Sequence, residues 1–305
     1  MKISKTLIML SILTGILALV QAGVGLFYQE SGSPFPFTTL HGETVQIYGQ
    51  GIYHYDTYFN APINRGTDAV TLFLAIPLLA IAIWLYSQGS LRSWLFLIGT
   101  LSYFAYNSVS VALGVAYNPL FIEYIAYFSA SIFSLGLAIV LLDTHDLAAR
   151  VSSNLPRRGI AILLFIAGAA VLFAWLTDLI GWLQPGTVPG IASYTTAVTH
   201  AIDLAVITPL CFLAGLLILR RTPAGILAAS SLLVLLAIIG VVVTVQTAFQ
   251  LSAGIELPPG MIAGKAGSFA ILALFAVWLA AQLFRSITVP STSRRYPIRT
   301  TGQKA

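Results

Sequence analysis

Eight long apolar stretches constrain the fold of this chain more than any other feature. They cover residues 6–27, 69–87, 94–116, 120–142, 160–183, 201–219, 226–249 and 266–284. A helix needs about 20 predominantly apolar residues to cross roughly 30 Å of hydrocarbon, and within lipid it bonds its own backbone groups. Charged residues make up 8% of the chain, whereas soluble domains carry about 25%. The sequence therefore predicts an all-α integral membrane protein with eight transmembrane helices, numbered spans 1 to 8.

Basic residues are distributed unevenly among the loops between these spans. All but two of the 15 lysines and arginines lie before span 1, in alternate loops or after span 8, and the exceptions are Arg65 and Lys265. Cytoplasmic loops carry the excess of Lys and Arg, so both termini are predicted to be cytoplasmic. We expect a multi-pass protein of the bacterial cytoplasmic (inner) membrane. Short basic loops are common to such proteins, so no nucleic-acid partner is predicted.

The first stretch also resembles a secretory signal peptide. Lys2 and Lys5 precede it, and Val20-Gln21-Ala22 fits a cleavage site. The apolar run nevertheless continues to Phe27 and is long enough to span, which favours an uncleaved helix. Cleavage would leave seven spans.

A sequence echo indicates that the chain is duplicated. The segment Thr67–Leu78 recurs as Thr199–Leu210, with a polar pair at i and i+3 and one proline in each copy. We predict two parallel four-helix repeats about a pseudo-twofold along the membrane normal, and chance alignment of apolar segments is the alternative. The expected divisions are a first repeat at 1–143 with an outer lid loop at 28–67, a cytoplasmic linker at 144–159, a second repeat at 160–285 and a disordered basic tail at 286–305.

The polar residues of the spans are predicted to lie toward the outer leaflet. The candidates for ligand binding are Asp203, His200, Asp68, Lys265, Asp178, Glu123, Asn107, Gln246, Thr71 and Tyr127. Ionisable groups in spans usually face a bundle interior or a water-filled cavity, so this set predicts an outward pocket. Asp203 is the leading candidate, Asp68 follows by symmetry, and Lys265 is the expected counter-ion. The alternative is that each residue only reaches interfacial water.

The segment 28–67 is the one long loop that the sequence predicts outside the membrane. It is rich in Gly, Tyr, Phe, Pro and Asn, and loops longer than about 12–15 residues are usually functional lids or disordered. The dense aromatic residues and low charge argue against disorder. We predict a lid over the helix ends, with a purely structural plug as the alternative.

Several chemistries are disfavoured by the residues present. Cys211 is the lone cysteine, which excludes an intramolecular disulfide and a cysteine-ligated Fe–S cluster. The four histidines provide no facing pair within the bilayer, so no haem is expected. No metal is predicted, and His200 with Asp203 are weak candidates to hold one. No catalytic residue is assigned.

The leading functional hypothesis is a non-enzymatic membrane protein with an outward pocket. It would bind, sense or help to transport a small polar or cationic ligand or a lipid head group. The alternatives are a membrane-embedded extracytoplasmic enzyme, such as a metal-dependent hydrolase, and a scaffold subunit of an envelope complex. The lipid bilayer is the predicted surrounding, and the oligomeric state does not follow from the sequence.

Overall fold

A computed structural model describes residues 3–288 and contains, within that range, eight helices long and apolar enough to cross a membrane. Their bounds are Lys5–Phe27, Asn60–Ser87, Leu91–Gly114, Phe121–Val140, Arg157–Trp182, Val198–Leu219, Pro223–Ser252 and Pro259–Arg285. The predicted number and order of spans is therefore confirmed. The protein is a multi-pass membrane protein, and the regular structure of residues 3–288 is helical apart from one small strand pair.

Spans 2 and 8 begin well before the residues that the hydropathy pattern predicted, whereas the other spans begin within three residues of the prediction. Span 2 starts at Asn60 rather than at residue 69, and its first turns bury Ala61 and Gly66. The polar residues between Asn60 and Thr67 lowered the local hydropathy, although they continue one helix. The loop that we call the lid is consequently 28–59, and spans 6 and 8 start at Val198 and Pro259.

Three spans contain a wider, π-helical segment. These segments are Thr71–Ala75 in span 2, Asp203–Ile207 in span 6 and Ala263–Gly267 in span 8. The first two lie at corresponding positions of the sequence echo, and each precedes a proline, Pro77 or Pro209. A proline removes a backbone hydrogen bond and presses on the preceding turn. The widened turn lies where that disturbance occurs, and π-turns are frequent at functional sites.

Spans 3 and 7 form the centre of the bundle. Within their apolar windows 67% and 61% of the residues are buried, against 28% to 33% in the other spans. They approach closely at Gly99, where an added Cβ would lie 2.7 Å from Cβ of Val234. Span 3 also packs against spans 2 and 4, and span 7 packs against spans 2, 6 and 8. The two halves of the chain therefore meet where span 7 packs against spans 2 and 3.

One end of the bundle, called here the basic face, gathers the start of the chain and the residues after span 8. The backbone N–H of Ser4 donates to the hydroxyl of Tyr86 at 3.0 Å. Arg92 donates from Nε to the carbonyl of Ile287 at 2.7 Å, and Ile287 forms a bridge with Val151. These contacts bring together the loop between spans 2 and 3, the loop between spans 4 and 5 and the residues after span 8.

The linker between the two halves carries a short helix, Thr144–Arg150. Asp143 caps it by accepting from the backbone N–H groups of His145 and Asp146. This side chain therefore stabilises the start of the helix. Most of the predicted basic tail, residues 289–305, lies outside the described residues.

The lid covers the opposite end, called here the lid face, and contains an antiparallel hairpin. Strand β1 (Phe35–Thr38) pairs with strand β2 (Thr44–Ile47). Gly49 follows with a φ of +73° and packs against the backbone of Ser33, a conformation and a spacing that suit only glycine. The aromatic-rich loop is therefore a folded unit.

Substitution of Gly99 tests the central packing. Gly99→Leu places a side chain where Val234 already lies, and overpacking an interior costs about 1–3 kcal/mol. We expect the thermal midpoint of the purified protein in detergent to fall by several degrees. Gly136→Leu on span 4 is the matched control, because nothing lies within 4 Å of an added Cβ there. Equal falls for both variants would contradict this packing.

Candidate functional site

The carboxylate of Asp68 is buried where span 2 meets the lid, and 1% of the residue is exposed. Gln21 of span 1 donates from Nε2 to Oδ1 at 2.7 Å. Tyr53 of the lid donates its hydroxyl to Oδ2 at 2.7 Å. Gly25 leaves room for this carboxylate, since an added Cβ would overlap Oδ2. Asp68 therefore fastens the lid to spans 1 and 2 with both of its oxygens engaged.

Asp203 opens the π-helical segment of span 6, in the position that Thr71 holds in span 2. Its oxygens accept from the hydroxyl of Tyr106 at 3.0 Å and from the indole N–H of Trp175 at 2.8 Å. Thr71 instead shares a hydrogen bond of 2.6 Å with the hydroxyl of Tyr103. Tyr103 and Tyr106 lie one turn apart on span 3. A single helix thus contacts both π-helical segments through neighbouring tyrosines.

His200 lies beside Asp203 and contacts the aromatic residues of span 5. Its ring centroid is 4.1 Å from that of Trp175 and 5.3 Å from that of Trp182. Its Nε2 lies 3.4 Å from Oδ2 of Asp178, whose side chain is half-exposed. Because Trp175 contacts both His200 and Asp203, the structure brings three of the predicted residues into one cluster.

His200 and Asp203, the weak candidates to hold a metal, both lie in this cluster. Among residues 3–288, no group of three or more His, Cys, Asp or Glu side chains is placed to hold a metal ion. Both oxygens of Asp203 already accept hydrogen bonds from Tyr106 and Trp175. The weak metal candidates His200 and Asp203 therefore gain no support from the geometry.

Three further predicted residues, Asn107, Tyr127 and Gln246, lie elsewhere in the bundle. Asn107 of span 3 donates from Nδ2 to the hydroxyl of Tyr127 of span 4 at 3.2 Å. Gln246 of span 7 donates from Nε2 to the hydroxyl of Thr67 at 2.8 Å. Both contacts join neighbouring helices, so these side chains serve helix packing in the described structure.

Among the described residues, neither Lys265 near the start of span 8 nor Glu123 near the start of span 4 forms an ion pair. Lys265 was expected to neutralise a carboxylate, but its Nζ lies 3.5 Å from Oε1 of Gln250. Its π-helical segment packs against span 7, away from Asp203 on span 6. Neither oxygen of Glu123 has a hydrogen-bond partner among the described residues. The predicted residues thus occupy several places rather than one cavity.

Asp56 of the lid is a buried carboxylate that was not among the predicted site residues. It is 0% exposed, and its Oδ1 accepts from the hydroxyl of Tyr194 at 2.7 Å and the backbone N–H of Ala116 at 3.2 Å. Asn64 of span 2 donates to the same oxygen at 3.5 Å. Oδ2 has no hydrogen-bond partner among the described residues. Asp56 thereby joins the lid to the end of span 3 and to the loop before span 6.

Burial is the main influence on the acidity of Asp56, which lies outside the membrane spans. It raises the pKa of this carboxyl to about 7, because removal from water disfavours the charged form. The hydrogen bonds from Tyr194, Ala116 and Asn64 lower the pKa but offset only part of that rise. Burial and the nearby Asp56 charge also raise the pKa of the Tyr194 hydroxyl. Asp56 therefore changes its charge close to neutral pH.

A cavity of about 540 Å³ lies between the lid hairpin, the end of span 3 and the loop before span 6. We call it the lid cavity. Its aromatic lining consists of Phe35, Phe37, Tyr55, Tyr117 and Tyr194. Hydroxyl groups of Ser193, Thr195 and Thr196 complete one side, and no Asp, Glu, Lys or Arg lines it. The volume is typical of a small-molecule site.

The wall of the lid cavity is continuous with the surroundings of Asp56. Tyr194 and Ala116 line the cavity, and both donate to Asp56 Oδ1. The carboxyl therefore lies one hydrogen bond behind the aromatic lining. Hydropathy reasoning missed Asp56 because a single acid in a loop has no periodic signal. The local clue was its position in the aromatic run from Tyr48 to Tyr58.

Comparison with known proteins does not assign this site. The chain matches no family model, no curated protein and no solved structure. Its function is therefore inferred from the geometry of the lid face.

Replacement of Tyr53 tests the attachment of the lid to span 2. Tyr53→Phe leaves Oδ2 of Asp68 without its donor, and an unsatisfied buried acceptor costs about 1–3 kcal/mol. Proteinase K should therefore cleave within 28–59 faster in this variant than in the wild type. Tyr55→Phe, at a ring that is 61% exposed, is the control and should leave the rate unchanged. If Tyr53→Phe is cleaved at the wild-type rate, this bond does not hold the lid.

The raised pKa of Asp56 predicts that docking of the lid depends on pH. The pKa of Asp56 is about 7 when the lid is docked and 3.8 when the carboxyl is solvated. The contribution of Asp56 to docking is therefore fully present below pH 3.8, where the carboxyl is protonated in both states. That contribution falls by about 1.4 kcal/mol for each pH unit up to about 7 and is constant above. Asp56→Asn should remove this dependence, because the amide does not titrate.

Spin labels provide the measurement. Exposed Leu40 and Thr195 are changed to Cys in a Cys211→Ala background, and their separation is followed from pH 4 to pH 8. In the protein that keeps Asp56, the fraction of molecules at the docked distance should fall as the pH rises to 7. In the Asp56→Asn variant that fraction should not change with pH. A pH-independent distance in both proteins would contradict the role of Asp56.

Proposed function

We propose that this protein is a non-enzymatic membrane protein that binds a small organic cation on its outer face. The binding site in this proposal is the lid cavity, and its aromatic lining in front of a buried carboxyl is the observation that carries it. The proposal retains the outward pocket predicted from the sequence. It moves that pocket from the span residues to the lid.

The chemistry of the lining favours a weakly hydrated cation. Cations are attracted to the faces of aromatic rings, with about 0.5–2 kcal/mol for each contact. The cavity has five aromatic residues and no charged residue that would repel a cation or hold it too strongly. Asp56 supplies negative charge behind Tyr194, and its Oδ2 is not committed to a hydrogen bond within the described chain. A methylated ammonium group suits this cavity, because it is a weakly hydrated cation that aromatic rings attract.

The proposed orientation and location rest on charge. All but two of the basic residues occur at the termini and in the loops of the face opposite the lid. The excess of Lys and Arg marks the cytoplasmic side, so the lid is assigned to the outside of a bacterial inner membrane. The cavity would then sample solutes or head groups outside the cell, in a role of binding, sensing or assisted transport.

A duplicated origin is part of this proposal. The echo of Thr67–Leu78 in Thr199–Leu210 is accompanied by π-helical segments at corresponding positions, each followed by a proline. Spans 3 and 7, the third helices of the two halves, also pack together at the centre. The repeats would be parallel because each contains an even number of spans.

The polar span residues then have supporting roles. Asp68 holds the lid through Tyr53, and Asp203 joins span 6 to spans 3 and 5. The enzyme alternative would have to use Asp178 and His200 as an acid–base pair, but no observation supplies it with a substrate pocket. The lid cavity therefore favours ligand binding.

Choline and its neutral isostere, 3,3-dimethylbutan-1-ol, test the proposal by calorimetry on protein in nanodiscs. Choline should bind more tightly, because only it carries charge for the rings and Asp56. Tyr117→Ala should weaken choline binding by roughly fivefold, which corresponds to the loss of one contact of about 1 kcal/mol. Tyr28→Ala, an exposed tyrosine away from the cavity lining, is the matched control.

Two results would overturn this function. Equal affinity for choline and its isostere would contradict a preference for a cation. Absence of binding by both would contradict the assignment of the lid cavity as a binding site. Asp56→Asn provides an additional check, since it should reduce the preference for choline over the isostere while keeping the aromatic lining.

A further inference from the structure

A second cavity, of about 440 Å³, lies on the other side of the lid hairpin. Pro34 and Tyr48 line it, whereas their chain neighbours Phe35 and Ile47 line the lid cavity. Its remaining walls come from Gln50 and Tyr58 of the lid, from the first turns of span 2 with Arg65, and from the end of span 7 with Phe249. The two cavities share no lining residue, so each can be tested separately.

Arg65 is a cation without an ionic partner among the described residues. Its Nη1 donates to the hydroxyl of Tyr48 at 3.2 Å, and its Nη2 donates to the carbonyl of Leu26 at 3.3 Å. These bonds orient the guanidinium but leave other N–H groups available. Neither ion pair found within residues 3–288 involves Arg65. Asp68, one turn further along span 2, is already occupied by Gln21 and Tyr53.

The other polar groups of this cavity can be divided into donors and acceptors. The hydroxyls of Tyr58 and Ser252 donate to the carbonyls of Ala253 and Phe249, so they offer the cavity only acceptor oxygens. Tyr48 accepts from Arg65, and its own O–H is therefore available to donate. The amide of Gln50 makes no hydrogen bond to another described residue and supplies a further donor.

These donors match an oxyanion with several oxygens. Arg65 approaches from span 2, whereas Tyr48 and Gln50 approach from the lid, and no Asp or Glu lines the cavity. A guanidinium fork binds phosphate in a bidentate manner, and the remaining phosphate oxygens can accept from the other two side chains. A partly buried cation that forms no close ion pair is costly, and a bound phosphate group would offset that cost.

The position of the cavity favours the phosphate of a membrane lipid. Arg65 lies in the second turn of span 2, and Ser252 is the last residue of span 7. Both are therefore at the end of a membrane-crossing helix, in the region where lipid head groups lie. Leu251, the chain neighbour of the lining residue Ser252, is 45% exposed and is an apolar side chain available to an acyl chain at this end of span 7.

We infer that this cavity binds the phosphodiester of an anionic lipid, with Arg65, Tyr48 and Gln50 as its ligands. The bound phosphate joins the lid to span 2, since its ligands come from both. The inference is independent of the organic cation proposed for the lid cavity, and choline binding should be unchanged by loss of Arg65.

Native mass spectrometry of the detergent-purified full chain tests this inference. Phosphatidylglycerol and diacylglycerol, which lacks the phosphate, are the probes. Phosphatidylglycerol should form a saturable one-to-one adduct, and Arg65→Gln should weaken it at least tenfold. Lys265→Gln is the matched control, because Lys265 is the other basic residue near the lid face among residues 3–288 and lies outside this cavity. It should leave the adduct unchanged.

Further variants and a soluble probe complete the experiment. Tyr48→Phe combined with Gln50→Leu keeps Arg65 and should also weaken the adduct, which preserves the test if Arg65→Gln does not fold. Millimolar inorganic phosphate should compete weakly. If it instead raises the thermal midpoint of the wild type but not of Arg65→Gln, and lipid does not, phosphate recognition stands and the source is soluble. Three results would overturn the site. The first is an adduct of equal strength in the wild type and Arg65→Gln, and the second is an equal loss in Arg65→Gln and Lys265→Gln. The third is binding of diacylglycerol as strong as that of phosphatidylglycerol.

Discussion

The need to satisfy buried carboxylates is the constraint on which the lid face depends. Removing such a group from water costs several kcal/mol unless hydrogen bonds or a counter-charge replace the lost hydration. Asp56, Asp68 and Asp203 each take donors from at least two separate segments. These contacts therefore stabilise the carboxylates and at the same time determine where the lid and the helix ends lie relative to one another.

The two halves meet this requirement differently. At corresponding positions the first half has Asp68 and Thr71, and the second has His200 and Asp203. In the first half the long loop 28–59 supplies Tyr53 to its carboxylate, whereas in the second half Asp203 draws its donors from spans 3 and 5. The loop between spans 5 and 6 is shorter and contributes Tyr194 to Asp56. The asymmetry leaves the lid cavity between structurally different walls.

Prediction from the sequence succeeded where the signal was local. Hydropathy located all eight spans, because a lipid-exposed segment must be apolar along most of its length. It missed the first turns of span 2, where polar residues from Asn60 to Thr67 face protein rather than lipid. It also paired Lys265 with a carboxylate, although span 8 packs against span 7 and places Lys265 beside Gln250.

The sequence alone determined the membrane-spanning class, the order of the spans, the uneven distribution of basic residues and the echo that contains the π-helical segments of spans 2 and 6. Each of these is a property of one segment or of a comparison between two segments. Only the tertiary structure decided that Gln21 and Tyr53 bind Asp68, that Tyr194 binds Asp56 and that two cavities flank the lid hairpin. These partners are far apart in the chain, and side-chain hydrogen bonding between them depends on the packing of helices, which hydropathy does not specify.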